Sequence, residues 1–176
     1  MYDLETTGLT NDDHVIEIGA IYVSNGKILD SFSALCNPGY FINQRIVEIT
    51  GITNGMLKDA DSEKSVVTDF VNWCDSKNTD ICVGHNINKF DNRMMKVATR
   101  RFGLQFPFKR TLDTLIMAQR ANLKSRGCTS NKQESIAEFY GFTYEAHRAV
   151  NDVEALFKIF QYLEKEVSQL PIIKVQ

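Results

Sequence analysis

The chain is 176 residues long, 43% hydrophobic and 24% charged, with a formal net charge of −2; this size and composition fit one globular domain with a sizeable core and exclude a fibrous or disordered chain. No apolar run approaches the roughly 18 residues a membrane span requires, and no basic-then-apolar leader, repeat or low-complexity tract is present, so a soluble, cytoplasmic, single-domain protein over residues 1–176 is expected. The cysteines, Cys36, Cys74, Cys82 and Cys128, form no C-x-x-C pair and no metal-finger spacing, which points to reduced thiols serving as buried apolar filler.

In chain order, Asp3 and Glu5 come first, two apart, so on an extended segment they project from the same side; the loop-forming Thr6-Thr7-Gly8 then leaves backbone N–H groups near them. His14 to Val23 is β-rich, Ser24-Asn25-Gly26 is a turn, and Lys27 to Leu35 is a second strand, with Asn-Gly as the hairpin signal. Pro38-Gly39 ends it. Ser62 and Ser65 followed by Val66, Val67, Phe70, Val71, Trp73 and Cys74 predict a helix, and Ile81-Cys82-Val83 a short buried strand closed by Gly84-His85-Asn86. Phe90, Met94, Met95, Val97 and Ala98 predict a helix from Lys89 to about Arg101, stopped by Gly103 and Pro107. Leu112 to Asn122 reads as another helix, Lys124 to Gln133 as a polar, basic loop, Glu134 to Tyr140 as a short helix with Gly141 at C′, and Val150 to about Val167 as a long helix. A hairpin followed by strands alternating with helices indicates an α/β sandwich around a mixed sheet.

Charge is distributed unevenly. Residues 1–88 carry 5 Lys/Arg against 13 Asp/Glu, and residues 89–176 carry 15 against 9. From Lys89 to Lys132 eleven Lys/Arg face only Asp91 and Asp113, a balance of +9. A solvated helix face with basic tips and a phosphate-contacting surface both fit that density.

A lone D-x-E is most often an acidic surface turn, but two further stations change the weighing. Asp91 follows the third predicted strand, where α/β proteins place their sites. His147 and Asp152 are five residues apart, which on one helix would set them about 140° apart; His147 is therefore expected in the loop before the last helix and Asp152 in its first turn. Carboxylates gathered at one strand end make most sense with a hard divalent cation between them.

The ordered set D-x-E-T-T-G, G-H-N-x-x-x-F-D and H-x-x-x-x-D resembles the three motifs of the DnaQ-like 3′-to-5′ exonucleases of the RNase H-like superfamily, in the subgroup with four acidic residues and a histidine. The resemblance spans nearly the whole chain and is somewhat closer to the proofreading subunits of the DNA polymerase III epsilon type. Gly51-Ile52-Thr53 and Leu112-Asp113-Thr114 add support. The resemblance implies a mixed five-stranded sheet, an antiparallel hairpin plus parallel strands, with helices on both faces. It also implies two Mg²⁺ or Mn²⁺ ions held by Asp3, Glu5, Asp91 and Asp152, with Asp3 bridging both and His147 taking the proton from the attacking water. Thr6, Thr7 and Gly8 would touch the terminal nucleotide through backbone, Leu9 and Phe90 its base or sugar, and Asn86 the strand; Phe90 fits a core position equally well. Lys124 and Arg126, in a flexible basic section, are expected to track the upstream phosphates.

By the same resemblance Asp3 should end the first strand, yet only Met1 and Tyr2 precede it, so a truncated strand is expected. The implied function is metal-dependent 3′-to-5′ hydrolysis of single-stranded nucleic acid, DNA favoured, releasing nucleoside 5′-monophosphates, with a DNA polymerase as partner if the protein proofreads. An RNA-trimming exonuclease and a nucleic-acid-binding module that has lost the chemistry are the alternatives.

Overall fold

Two consecutive residues in the left-handed region, Asn25 (φ 52°) and Gly26 (φ 71°), turn the chain back on itself between β2 (Val15–Ser24) and β3 (Lys27–Leu35). That backbone matches the right-handed twist of the flanking strands, which is why Asn-Gly is selected there. The computed structural model describes residues 1–168. Around the hairpin it places β1 (Tyr2–Thr6), α1 (Gln44–Thr50), α2 (Asn54–Lys58), α3 (Glu63–Ser76), β4 (Ile81–Gly84), α4 (Asp91–Arg101), β5 (Arg110–Asp113), α5 (Thr114–Arg120), a 3₁₀ turn (Leu123–Arg126), α6 (Gln133–Phe139) and α7 (Ala149–Val167).

The strands are those of a mixed five-stranded fold, hydrogen-bonded as an antiparallel trio β1-β2-β3 and a parallel pair β4-β5, with β1 and β4 side by side. β1 does not stop at Asp3. It runs five residues, from Tyr2 opposite Ala20 to Thr6 opposite Val15, so Asp3 and Glu5 are both inside the strand, held by a full ladder to β2. The expectation of a strand ending at Asp3 is corrected accordingly.

Alternation along β1 sorts its side chains to two faces. Tyr2 and Leu4, with Ile18 and Ala20 of β2, join one core with Val66, Val67 and Phe70 of α3 and Met94, Met95 and Ala98 of α4. Asp3 and Glu5, with Gly19 and Glu17 opposite them, point to the other face, against which α7 packs. Helices cover both faces, and β2 is accordingly buried from Val15 to Ile21 without alternation.

Three local expectations change. The predicted helix Leu112–Asn122 begins two residues later, because Arg110–Asp113 pairs in parallel with Ile81–Gly84 and the Asp113 carboxylate caps α5 by accepting from Leu115 N at 3.0 Å. The pair α1 and α2, unpredicted, is capped by Asn43 and Thr53 and buries Ile42, Ile52 and Leu57 against Ile16. The segment after Asn122, expected to be a flexible loop, forms the 3₁₀ turn: Leu123 is fully buried with Ile159 and Leu163 of α7, and Arg126 pairs with Glu166. Burying Leu123 is worth about 1.5–3 kcal/mol, against about 0–1 kcal/mol for a surface ion pair. Packing therefore fixes that turn. All the cysteines are buried and free, and among the described residues no helix is long and apolar enough to cross a membrane.

Candidate active site

Asp3, Glu5 and Asp152 each offer a carboxylate oxygen, and these atoms lie within 4.8 Å of one another. Asp3 and Glu5 arrive together because both are on one face of β1. Asp152 arrives because α7 is docked at its N-terminus onto β2, directly opposite them. Gly19, the cross-strand neighbour of Asp3, lets the Ala149 backbone approach until a Cβ would be only 2.3 Å from the Ala149 carbonyl carbon. Glu17, the cross-strand neighbour of Glu5 and 1% exposed, accepts from Ala149 N at 2.9 Å and from Arg148 Nη2 at 2.9 Å and Nε at 3.2 Å. One buried carboxylate thus satisfies an orphan donor of the helix start and a guanidinium together.

The first turn of α7 holds Asp152 as the 140° argument requires, and His147 lies just before the helix, in left-handed backbone (φ 66°). Its side chain is 56% exposed, with Nε2 3.9 Å from Glu134 Oε1. Asp152 is oriented from two sides: Oδ1 accepts from Tyr144 Oη at 2.9 Å and from Gln133 Nε2 at 3.3 Å, and Oδ2 accepts from Arg148 N at 3.1 Å. Asp91, the first residue of α4, is buried, and its Oδ1 accepts from Leu4 N at 3.1 Å. Leu4 lies between Asp3 and Glu5 on β1, so this bond ties the start of α4 to the strand that carries both carboxylates. Asp91 belongs beside the trio rather than within it.

Burial raises the pKa of every one of these carboxyls, and like charges add to it at Asp3, Glu5 and Asp91. Asp3 is held well above the usual carboxylate range by burial and then by Asp91, Asp152 and Glu5. Glu5 is pushed up to about 8 by burial, then by Asp152 and Glu17, and Asp91 to about 7 by burial, opposed by its backbone hydrogen bonds. Burial also raises Asp152, against the hydrogen bond from Tyr144. Such a set cannot ionise together at neutral pH without a countercharge. Its donors are all hard carboxylate oxygens at ligand spacing, which fits divalent Mg²⁺ or Mn²⁺ and not a soft thiolate-seeking ion.

A cleft of about 450 Å³ opens beside the trio, lined by Asp3, Asp152 and His147 and also by Asn86, Lys132 and Tyr144. Asn86, in left-handed backbone (φ 54°), is fixed by donation from its N–H to Asp113 Oδ1 at 2.9 Å. His85 is structural: its Nε2 donates to the Asn131 carbonyl at 2.9 Å and Nδ1 meets Thr114 Oγ1. Thr6 donates to the Gly8 carbonyl, and Thr7 Oγ1 donates to Asp13 and accepts from the His14 N–H, so both hydroxyls brace their own loop. Leu9, 74% exposed, stands at its tip, and Phe90 is partly buried against the α3–α4 core with Arg93 over its ring.

The structure does not bring Lys124 and Arg126 to the carboxylates. Arg126 is bound to Glu166 of α7, fourteen residues from Asp152, about 21 Å along the helix at 1.5 Å per residue. Sequence reasoning assigned no role to Glu17, Gln133 or Tyr144, and placed Lys132 only within the basic segment at large. Glu17 carried a visible signal, a lone carboxylate inside the apolar run of β2.

The sequence model described as Exonuclease (RNase T) matches residues 1–160. The chain is 33% identical over 174 residues to a PolC-type DNA polymerase III of Caldanaerobacter subterraneus subsp. tengcongensis and 32% identical over 175 residues to that of Staphylococcus aureus. Each alignment covers 98% of this chain and 12% of the relative's length, so the chain spans about an eighth of the relatives it matches. Among solved structures, E. coli exonuclease I in complex with a dT13 oligonucleotide superposes with a TM-score of 0.81 at 19% identity, over 96% of this chain and 41% of that one. Exonuclease X in complex with 5′-overhanging duplex DNA superposes at 0.70 and 20% identity, over 96% and 92%. These likenesses show a shared fold.

Proposed function

The chain belongs to the RNase T family of DnaQ-like 3′-to-5′ exonucleases, and from that premise we propose that it removes nucleotides one at a time from the 3′ end of single-stranded DNA, in the setting of a DNA polymerase. The observation that carries this reading is the meeting of Asp3, Glu5 and Asp152 within 4.8 Å at the cleft. The polymerase setting is supported by the PolC-type relatives.

Asp3, Glu5 and Asp152 would hold Mg²⁺ or Mn²⁺, with Asp91 serving a second ion. When bound, such ions activate a water and stabilise the charge developing on the leaving 3′-oxygen. His147 accepts the proton of the attacking water, a role suited to an exposed imidazole at the cleft mouth. Tyr144 and Gln133 keep the Asp152 carboxylate turned toward its partners. The loop Thr6–Leu9 receives the terminal nucleotide: its hydroxyls brace the backbone, and Leu9 supplies an exposed apolar face for the sugar or base. Asn86 lines the cleft beside Asp3 and Asp152.

The test is a side-by-side digestion of DNA and RNA oligonucleotides labelled at either end, with Mn²⁺. Mononucleotide release from the 3′ label of single-stranded DNA, with circular single strands left intact, is the expected result. Preferential digestion of RNA would move the substrate assignment, and cleavage of circles would overturn the exonucleolytic reading.

A further inference from the structure

We propose that Lys132 is the cation that grips the phosphate of the substrate strand next upstream of the scissile bond, a role that rests on the exonuclease reading above. Lys132 immediately precedes Gln133, whose Nε2 donates to the Asp152 backbone carbonyl at 2.9 Å and reaches its carboxylate at 3.3 Å. Its backbone is therefore tied within one residue of a side chain touching the carboxylate cluster, while its own side chain is exposed and lines the same cleft as Asp3, Asp152 and His147.

Elimination strengthens the assignment. Of the basic segment, Arg93 is engaged by the Leu9 carbonyl and Asn11, Arg101 by Glu63, Arg110 by Asp80 and Arg126 by Glu166. Lys96 lies over the Phe106 ring. Lys132 pairs with no carboxylate among the described residues, and of the eleven cations from Lys89 to Lys132 it alone lines the cleft. The other ionisable groups there are Asp3, Glu134, Asp152, Tyr144 and the histidines His85 and His147. A strand entering the cleft must bring its phosphates past the Asp3, Glu134 and Asp152 carboxylates, which repel them. A separate countercharge is needed one nucleotide away. A lysine suits a strand that advances after each turnover, since its ammonium is a rotatable point charge without the fixed fork of arginine.

The experiment measures binding of a fluorescent oligo-dT in Ca²⁺, which holds the site without supporting turnover, across a salt series, together with Mn²⁺-supported hydrolysis of the oligonucleotide and of the p-nitrophenyl ester of thymidine 5′-phosphate. Lys132→Met should weaken oligonucleotide binding and raise KM about tenfold, as for a lost hydrogen bond between charged groups. The slope of log affinity against log salt should flatten by about 0.7, one phosphate contact on a single strand. Turnover of the ester, which has no upstream phosphate, should be unchanged, Lys132→Arg should retain most binding, and Lys124→Met should behave as wild type. An unchanged salt slope, or an equal loss on ester and strand, overturns the assignment. If the wild type binds the strand but hydrolyses neither substrate, the exonuclease reading fails instead, and a flattened slope in Lys132→Met still places the phosphate at Lys132. A wild type that neither binds nor hydrolyses refutes both.

Discussion

Gly19 and Ala149 meet backbone to backbone, so closely that a methyl group on Gly19 would lie 2.3 Å from the Ala149 carbonyl carbon and 2.4 Å from its oxygen. Gly19 is also the cross-strand partner of Asp3. This contact sets the height of α7 above the sheet, and with it the distance from Asp152 to Asp3. The clash is with backbone, so no side chain can turn aside to relieve it. Gly19→Ala should therefore cost about 1–3 kcal/mol, the usual penalty of overpacking, and weaken Mn²⁺ binding at the same time. Denaturant unfolding and calorimetric titration check the two effects; a stable variant with unaltered metal affinity would show that α7 tolerates a shift the geometry forbids.

Glu17 holds the same helix from the next position. Glu17→Ala strands the Arg148 guanidinium and the Ala149 N–H, whose bonds to it are 2.9 Å. The expected loss is about 2–3 kcal/mol, since a buried charged acceptor disappears while its donors remain. Activity should fall with it, because residues 148 and 149 link His147 to the helix bearing Asp152. A change below about 0.5 kcal/mol, the range of a neutral surface substitution, would mean that the helix start is held by packing alone.

The carboxylate cluster reverses the usual pH dependence of an acidic protein. Glu5, pushed up to about 8, and Asp91, pushed up to about 7, bind protons in the folded state that they release in the unfolded chain near their ordinary values of roughly 4. Between those limits the folded state holds more protons, so its stability is full below about pH 4 and declines as pH rises through 7 and 8. In EDTA the melting temperature should be higher near pH 5.5 than near pH 8.5. Saturating Mn²⁺ should raise it more at the higher pH, where the ligands are already deprotonated. A melting temperature that rises between those pH values in EDTA would contradict the assigned burial of the cluster.

His147→Ala should lower kcat by about 10²–10⁴-fold, the range for a positioned proton acceptor, while oligonucleotide binding in Ca²⁺ stays within a fewfold of wild type. Single-turnover rates and anisotropy titrations separate the two quantities. Equal losses in both would make His147 a substrate contact.

The residues that carry local or short-range signals were legible before any coordinates: the Asn25-Gly26 hairpin, the placement of His147 ahead of α7 and Asp152 within it, and the ordered acidic stations. Those that act across the chain were not. Glu17 reaches Ala149 over 132 residues of sequence, and Gln133 reaches Asp152 over 19; nothing in either local pattern names its partner. β5 is hidden because Arg110–Asp113 has only four residues and one apolar side chain, the exposed Leu112, so neither alternation nor an apolar run marks it as a strand. The misplaced phosphate track has a different cause. A count of charges gives cationic density but not which guanidiniums are already neutralised inside the fold, and Arg126 is held by Glu166 at the far end of α7.

The central claim is that Asp3, Glu5 and Asp152 would hold the divalent metal needed for hydrolysis of the terminal phosphodiester, and the release of the 3′-terminal nucleotide from single-stranded DNA by wild type and Asp3→Ala, each in Mn²⁺ and in excess EDTA, tests it most directly. An Asp3 carboxylate oxygen lies within 4.8 Å of those of Glu5 and Asp152, and Asp91 is the strongest like charge acting on it. The account predicts 5′-mononucleotide release by the wild type in Mn²⁺ alone, none in EDTA, and a loss of at least about 10³-fold in a folded Asp3→Ala, several kcal/mol of transition-state stabilisation. Undiminished release in EDTA, or an Asp3→Ala protein as active as wild type, would contradict it.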